Sequence, residues 1–142
     1  MVFLKEVLNT IGQFSGLDNF EWVDSLQRRL ISESKDFEKA AYWYKKSAEQ
    51  GNSRAQYNLA KCYENGEGVV KDYEQAVYWY TQAAEQGDAD AQNNLGLMYE
   101  NGAGVEKNLE KAIYWYQQAA ELGDANAQCN LGQIYYFEEN FN

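Results

Sequence analysis

From Tyr73 onward the apolar positions fall at helical spacing. Ala76, Trp79, Tyr80 and Ala83 stand at i, i+3, i+4 and i+7 and form one face. The stretch before it, AQYNLAKCYEN, sets Ala55, Leu59, Cys62 and Tyr63 at the same spacing and predicts a partner helix. Between them, NGEGVVK carries Gly66 and Gly68, residues that enter left-handed backbone without steric cost, so a tight connector is predicted. Asp72 is placed to cap the second helix. Gly87, followed by Asp88-Ala89-Asp90, ends that helix and opens the next.

The same arrangement returns every 36 residues. Ala55-Gln56, Ala91-Gln92 and Ala127-Gln128 share the offset, as do Gly51, Gly87 and Gly123, and Trp43, Trp79 and Trp115. Residues 55–90 and 91–126 are identical at 23 of 36 positions. Asp36 and Asn108 occupy the slot of Asp72 in the neighbouring units. A fixed period of this length means stacked two-helix units. The pattern resembles the Sel-1-like repeat, a relative of the tetratricopeptide repeat, over roughly residues 35–136. The resemblance implies an all-α fold, a right-handed α/α superhelix or solenoid whose concave face is lined by the first helices. It also implies a non-catalytic protein–protein interaction module in an adaptor, scaffold or regulatory role.

On this reading residues 1–34 form a divergent N-terminal helical cap and 35–142 the solenoid. The solenoid divides into a second helix at 35–54, full repeats at 55–90 and 91–126, and a partial repeat at 127–142. The 36-residue offset puts Leu30 and Ser32 where the connector glycines belong, which marks the departure from the repeat. Val2, Phe3, Val7, Leu8 and Ile11 suggest one capping helix; Phe20, Val23, Leu26, Leu30 and Ile31 suggest another, sealing the open face of the first repeat. At the far end AQCNLGQIYY repeats a first helix, with no second helix before Asn142. Tyr136, Phe137 and Phe141 are expected to fold back as a cap. The alternative is an apolar patch for a partner or a second copy.

The Tyr-Trp-Tyr triplets beginning at Tyr42, Tyr78 and Tyr114 invite a stacking role. Trp43, Trp79 and Trp115, with Tyr44, Tyr80 and Tyr116, lie on the alanine face and are expected in the core, while Tyr42, Tyr78 and Tyr114 are expected half exposed. Nucleic-acid stacking needs basic residues interleaved with the aromatics. Charge argues against it: the net −10 is carried by residues 72–142, where twelve acidic residues face two basic ones, while residues 35–71 sum to +2. An acidic field repels nucleic acid and anionic membrane and attracts a partner with a basic patch.

Catalytic signals are weak. The chain has no histidine, which removes the commonest general base and metal ligand. Cys62 aligns with Met98 and Ile134 and reads as a core thiol; Cys129 aligns with Tyr57 and Asn93 and has no histidine to activate it. NGEGVVK lacks the spacing of a phosphate loop, and no calcium-loop spacing occurs, so neither cofactor nor metal is expected. Two cysteines make no disulfide framework, and no apolar run suits a signal or a membrane span, so a cytoplasmic protein is expected.

By analogy with tetratricopeptide-like modules, the partner-binding residues of the concave face are Arg54, Tyr57, Asn58, Lys61 and Glu64 in one unit. Asp90, Asn93, Asn94, Leu97 and Glu100 follow in the next, and Asn130, Gln133 and Tyr136 in the last. Asn58, Asn94 and Asn130 recur at one offset. Such an amide ladder either clamps an extended peptide or ties neighbouring helices together, and both readings are open. A strongly acidic module of this size suits an immunity or inhibitor protein that neutralises a basic toxin or enzyme. The rival is a structural scaffold that self-associates through its C-terminal helix.

Overall fold

The computed structural model describes residues 21–141, and these are helices joined by short turns. The helices are α1 (Glu21–Glu49), α2 (Ser53–Asn65), α3 (Tyr73–Glu85), α4 (Ala89–Asn101), α5 (Leu109–Glu121) and α6 (Ala125–Phe141). The capping helix expected around Val2–Ile11, together with Phe20, lies outside the described residues. The chain divides into two compact units that part between Phe37 and Glu38.

α1 corrects two expectations. No helix break falls at 34/35, and Asp36 caps nothing, because it sits inside one 29-residue helix. The reason is local: without glycines at positions 30 and 32 nothing interrupts the helical hydrogen bonds, and SESKDFEK carries no breaker. In the N-terminal unit, α1 is laced by i,i+4 ion pairs, Arg28 to Asp24 at 2.6 Å and Arg29 to Glu33 at 3.1 Å. Leu30, Ile31 and Phe37 are about half exposed, and Val23 and Leu26 half-buried.

In the second unit α2 packs on α3 and α4 on α5, with α3 against α4 and α5 against α6. This is an all-α solenoid. The local signals operate as the sequence predicts. Asn52 and Asp88 accept from the backbone N–H groups of Ala55 and Ala91, and Asp72 and Asn108 from those of Gln75 and Lys111. Gly66 and Gly102 close α2 and α4 in left-handed backbone. Gly104 is doubly constrained: its φ is +69°, and a Cβ there would stand 2.3 Å from the Tyr73 carbonyl oxygen at the start of α3. Only glycine fits.

The core is alanine and tyrosine. Ala60, Ala76, Ala83, Ala91, Ala112 and Ala119 are buried, letting helices approach closely, while Tyr80, Tyr116, Leu59 and Leu95 fill the remaining volume. Each of the two leucines contributes about 2 kcal/mol of burial. The tryptophans differ from expectation. Trp79 and Trp115 are half-buried, and Trp43 is 67% exposed. Trp79 packs on Ala48, Ala55 and Leu59, and Trp115 on the cluster holding Ala60 and Tyr80. A tryptophan here therefore packs both on the first helix of its own repeat and on the repeat before it. Tyr42, Tyr78 and Tyr114 are half exposed, as expected.

Candidate functional site

α2, α4 and α6 are the first helices of successive repeats, and cross-contacts tie them edge to edge. Arg54 Nη1 reaches from the first turn of α2 to Asp90 Oδ2 at 2.7 Å and Asp88 Oδ2 at 3.4 Å. Its guanidinium lies 4.4 Å from the centre of the Tyr57 ring, and that ring leans on Tyr80 at 5.9 Å. Lys61 Nζ sits 5.7 Å from the centre of the same ring. Arg54 is thus neutralised within the chain, and Lys61 remains the exposed cation of this end.

Several residues proposed for binding serve the fold. Tyr80 donates its hydroxyl hydrogen to Glu64 Oε2 and accepts from Asn94 Nδ2 at 3.1 Å. Tyr116 repeats the motif one unit on, donating to Glu100 Oε2. Burial first, and then the facing carboxylate, push both phenols well above the usual tyrosine range, so both stay protonated donors. Asn130 Nδ2 donates to Asn93 Oδ1 at 3.0 Å, and Asn93 is itself buried. The amide ladder therefore splits: Asn94 and Asn130 tie helices together, and Asn58 is half-buried. Tyr57, whose pKa is raised chiefly by burial, is half-buried, whereas Leu97, Gln133 and Tyr136 are exposed.

At the C-terminal end two proposed residues, Glu100 and Gln133, meet around a cavity of about 330 Å³ with Leu109, Ile134, Phe137 and Glu138. The sequence did not single out Leu109 or Ile134 for this place. The signal was the register of α5 on α6, which a 36-residue period alone does not provide. Tyr136 and Phe137 do not fold back, contrary to expectation. α6 runs on as a helix to Phe141, leaving Tyr136 65% and Phe137 57% exposed, edge-to-face at 5.9 Å. No proline or glycine after Gly132 would turn the chain.

Burial raises the Cys62 thiol, while Cys129 is exposed and accepts a weak contact from Gln133 Nε2 at 3.9 Å. Among the described residues no cluster of three or more His, Cys, Asp or Glu could hold a metal, and no helix is long and apolar enough to cross a membrane.

A family model for the Sel1 repeat matches residues 30–52, 53–88, 89–124 and 125–139. Its phase differs by two residues from that read off the alanine-glutamine pairs. Among solved structures, a Sel1 repeat protein from Oxalobacter formigenes is 44% identical with a TM-score of 0.68, over 72% of this chain and 42% of that one. A protective antigen of uropathogenic Escherichia coli with an SLR fold is 36% identical at TM-score 0.66, over 82% of this chain and 28% of that one. Cysteine-rich protein B of Helicobacter pylori is 25% identical at TM-score 0.60, over 75% of this chain and 94% of that one. The chain spans less than half the length of the first two. No curated protein matches it.

Proposed function

The chain belongs to the Sel1-repeat family, and from that premise we propose that it is a non-catalytic module that binds a partner protein. The partner, carrying a basic patch, is held along the exposed parts of α2, α4 and α6 and the acidic C-terminal half. The observation that carries this reading is the charge division: all of the net −10 falls on residues 72–142. Sel1-repeat proteins are generally interaction modules and typically non-catalytic scaffolds, which supports the coarse reading. An adaptor or an inhibitor of the partner, including an immunity protein against a basic toxin, is the finer one. A cytoplasmic location is proposed with it, where the thiols of Cys62 and Cys129 stay reduced.

Testing requires the purified partner. Affinity is expected to fall at least about tenfold between about 50 and 300 mM salt. Changing the exposed Glu106, Glu138 and Glu139 to Lys should weaken it further. An interaction indifferent both to salt and to these changes overturns the acidic-surface reading. The exposed Tyr135, Tyr136 and Phe137 favour a second reading, self-association through α6. Light scattering that finds a concentration-independent monomer removes it.

A further inference from the structure

Two successive repeat joints differ at one buried amide. At the first, Gln56 is buried: its Nε2 donates to the Ala48 carbonyl at 3.2 Å, and its Oε1 accepts from Gln86 Nε2 at 2.7 Å. One repeat later Gln92, 5% exposed, makes the matching donation to the Ala84 carbonyl at 3.1 Å, which fixes which way its amide points. The residue 36 places after Gln86, however, is Leu122. Gln92 Oε1 is therefore buried with no donor among the described residues. An acceptor left so costs about 1–3 kcal/mol, and its position asks for an N–H.

That position borders a cavity of about 420 Å³. Its lining residues include Trp115, whose ring is set edge-to-face with Tyr114 at 5.0 Å, and the acidic Glu85 and Glu121, both exposed. Among the described residues no lysine or arginine lines it. An aromatic face, two anions and an unused amide oxygen together make a receptor for a flat cation that carries several N–H groups.

We propose that this cavity takes the side chain of an arginine presented by the partner. The guanidinium stacks on Trp115 between Glu85 and Glu121. One of its N–H groups donates to Gln92 Oε1, as Gln86 donates to Gln56 one joint earlier. Leu122, 60% exposed at the end of α5, swings aside to admit it. Arginine suits the site better than lysine, because its planar fork stacks and donates in several directions at once, whereas an ammonium is compact and strongly hydrated. The proposal rests on the protein-binding reading above and names the chemistry of one contact within it.

The probe is the full chain titrated at low salt with blocked Gly-Arg-Gly and with its lysine and citrulline counterparts, followed by NMR. The arginine peptide is expected to move the Trp115 indole and Gln92 side-chain amide signals, bind about fivefold more tightly than the lysine peptide, and outdo citrulline further. Leu122→Gln restores the internal donor found at Gln86. It should weaken the arginine peptide about tenfold while raising the melting temperature, which a merely damaged protein would not do. Absent shifts, shifts elsewhere, or equal binding by Leu122→Gln overturn the proposal. Partner binding that is lost at high salt but untouched by Leu122→Gln overturns this contact alone. Peptide binding that persists beside a salt-indifferent partner complex supports this contact and overturns only the acidic-surface reading.

Discussion

Tyr80 and Tyr116 each tie the two helices of one repeat by a hydroxyl hydrogen handed to a carboxylate, Glu64 or Glu100, from a fully buried ring. Ionising either phenol would place two anions face to face in a desolvated site, so the folded pKa lies above the unfolded value of about 10. The sign follows. Above that pH the unfolded chain releases the protons and the folded chain keeps them, so stability is full below about pH 10 and falls as pH rises, by about 1.4 kcal/mol per unit for each phenol. Urea denaturation between about pH 8 and 11 should show this loss in the native protein. The Tyr80→Phe/Tyr116→Phe double variant should start about 2 kcal/mol less stable, because Glu64, Asn94 and Glu100 each lose a partner, yet decline less steeply. Parallel declines would refute the assignment. Helical spacing placed these tyrosines in the core, but not their carboxylate partners: Glu64 and Glu100 looked like exposed first-helix residues available to a ligand. A pairing sixteen residues apart across two helices depends on packing, which periodicity does not encode.

At the scale of the helix, capping signals were legible wherever glycine stood beside them. Asp72, Asp88 and Asn108 follow connectors or glycine turns and cap as read; Asp36 follows Ser34-Lys35 and lies inside α1. The same residue type at the same offset thus has opposite roles, decided by whether the chain ahead of it has been broken. Asp72→Ala removes an acceptor for the Gln75 N–H and should cost about 1 kcal/mol. Asp36→Ala replaces a poor helix former at an exposed interior position, and should be neutral or stabilising by about 0.5 kcal/mol. Urea midpoints of the two variants check this, and equal destabilisation would restore a helix boundary at residue 36. The tryptophans mark the limit of such local reading. Trp43, Trp79 and Trp115 stand in the same Tyr-Trp-Tyr triplet, yet Trp43 is exposed and the others are half-buried. Trp79 and Trp115 are covered by residues from two successive repeats, which the local sequence around them does not encode.

Across residues 38–142 the charges do not compensate one another in space. Arg54 pairs with Asp88 and Asp90, and Lys107 and Lys111 are the two cations of the acidic half. Lys111 lies over the Tyr99 ring, 5.3 Å from its centre. Exposed ion pairs contribute at most about 1 kcal/mol, whereas a compact acidic field repels itself and is relieved by unfolding. Added sodium chloride screens both terms, and the repulsion is the larger because it sums over many carboxylates within one screening length, about 10 Å at 0.1 M. The urea midpoint should therefore rise with salt, corresponding to about 1 kcal/mol between 20 mM and 0.5 M, over the range in which affinity for the proposed partner is expected to fall. A midpoint that drops would mean that the ion pairs outweigh the repulsion, and the acidity could no longer be read as stability given up for attraction to a basic partner. Opposite responses of stability and affinity to one variable are what a surface charged for binding, rather than for folding, must show.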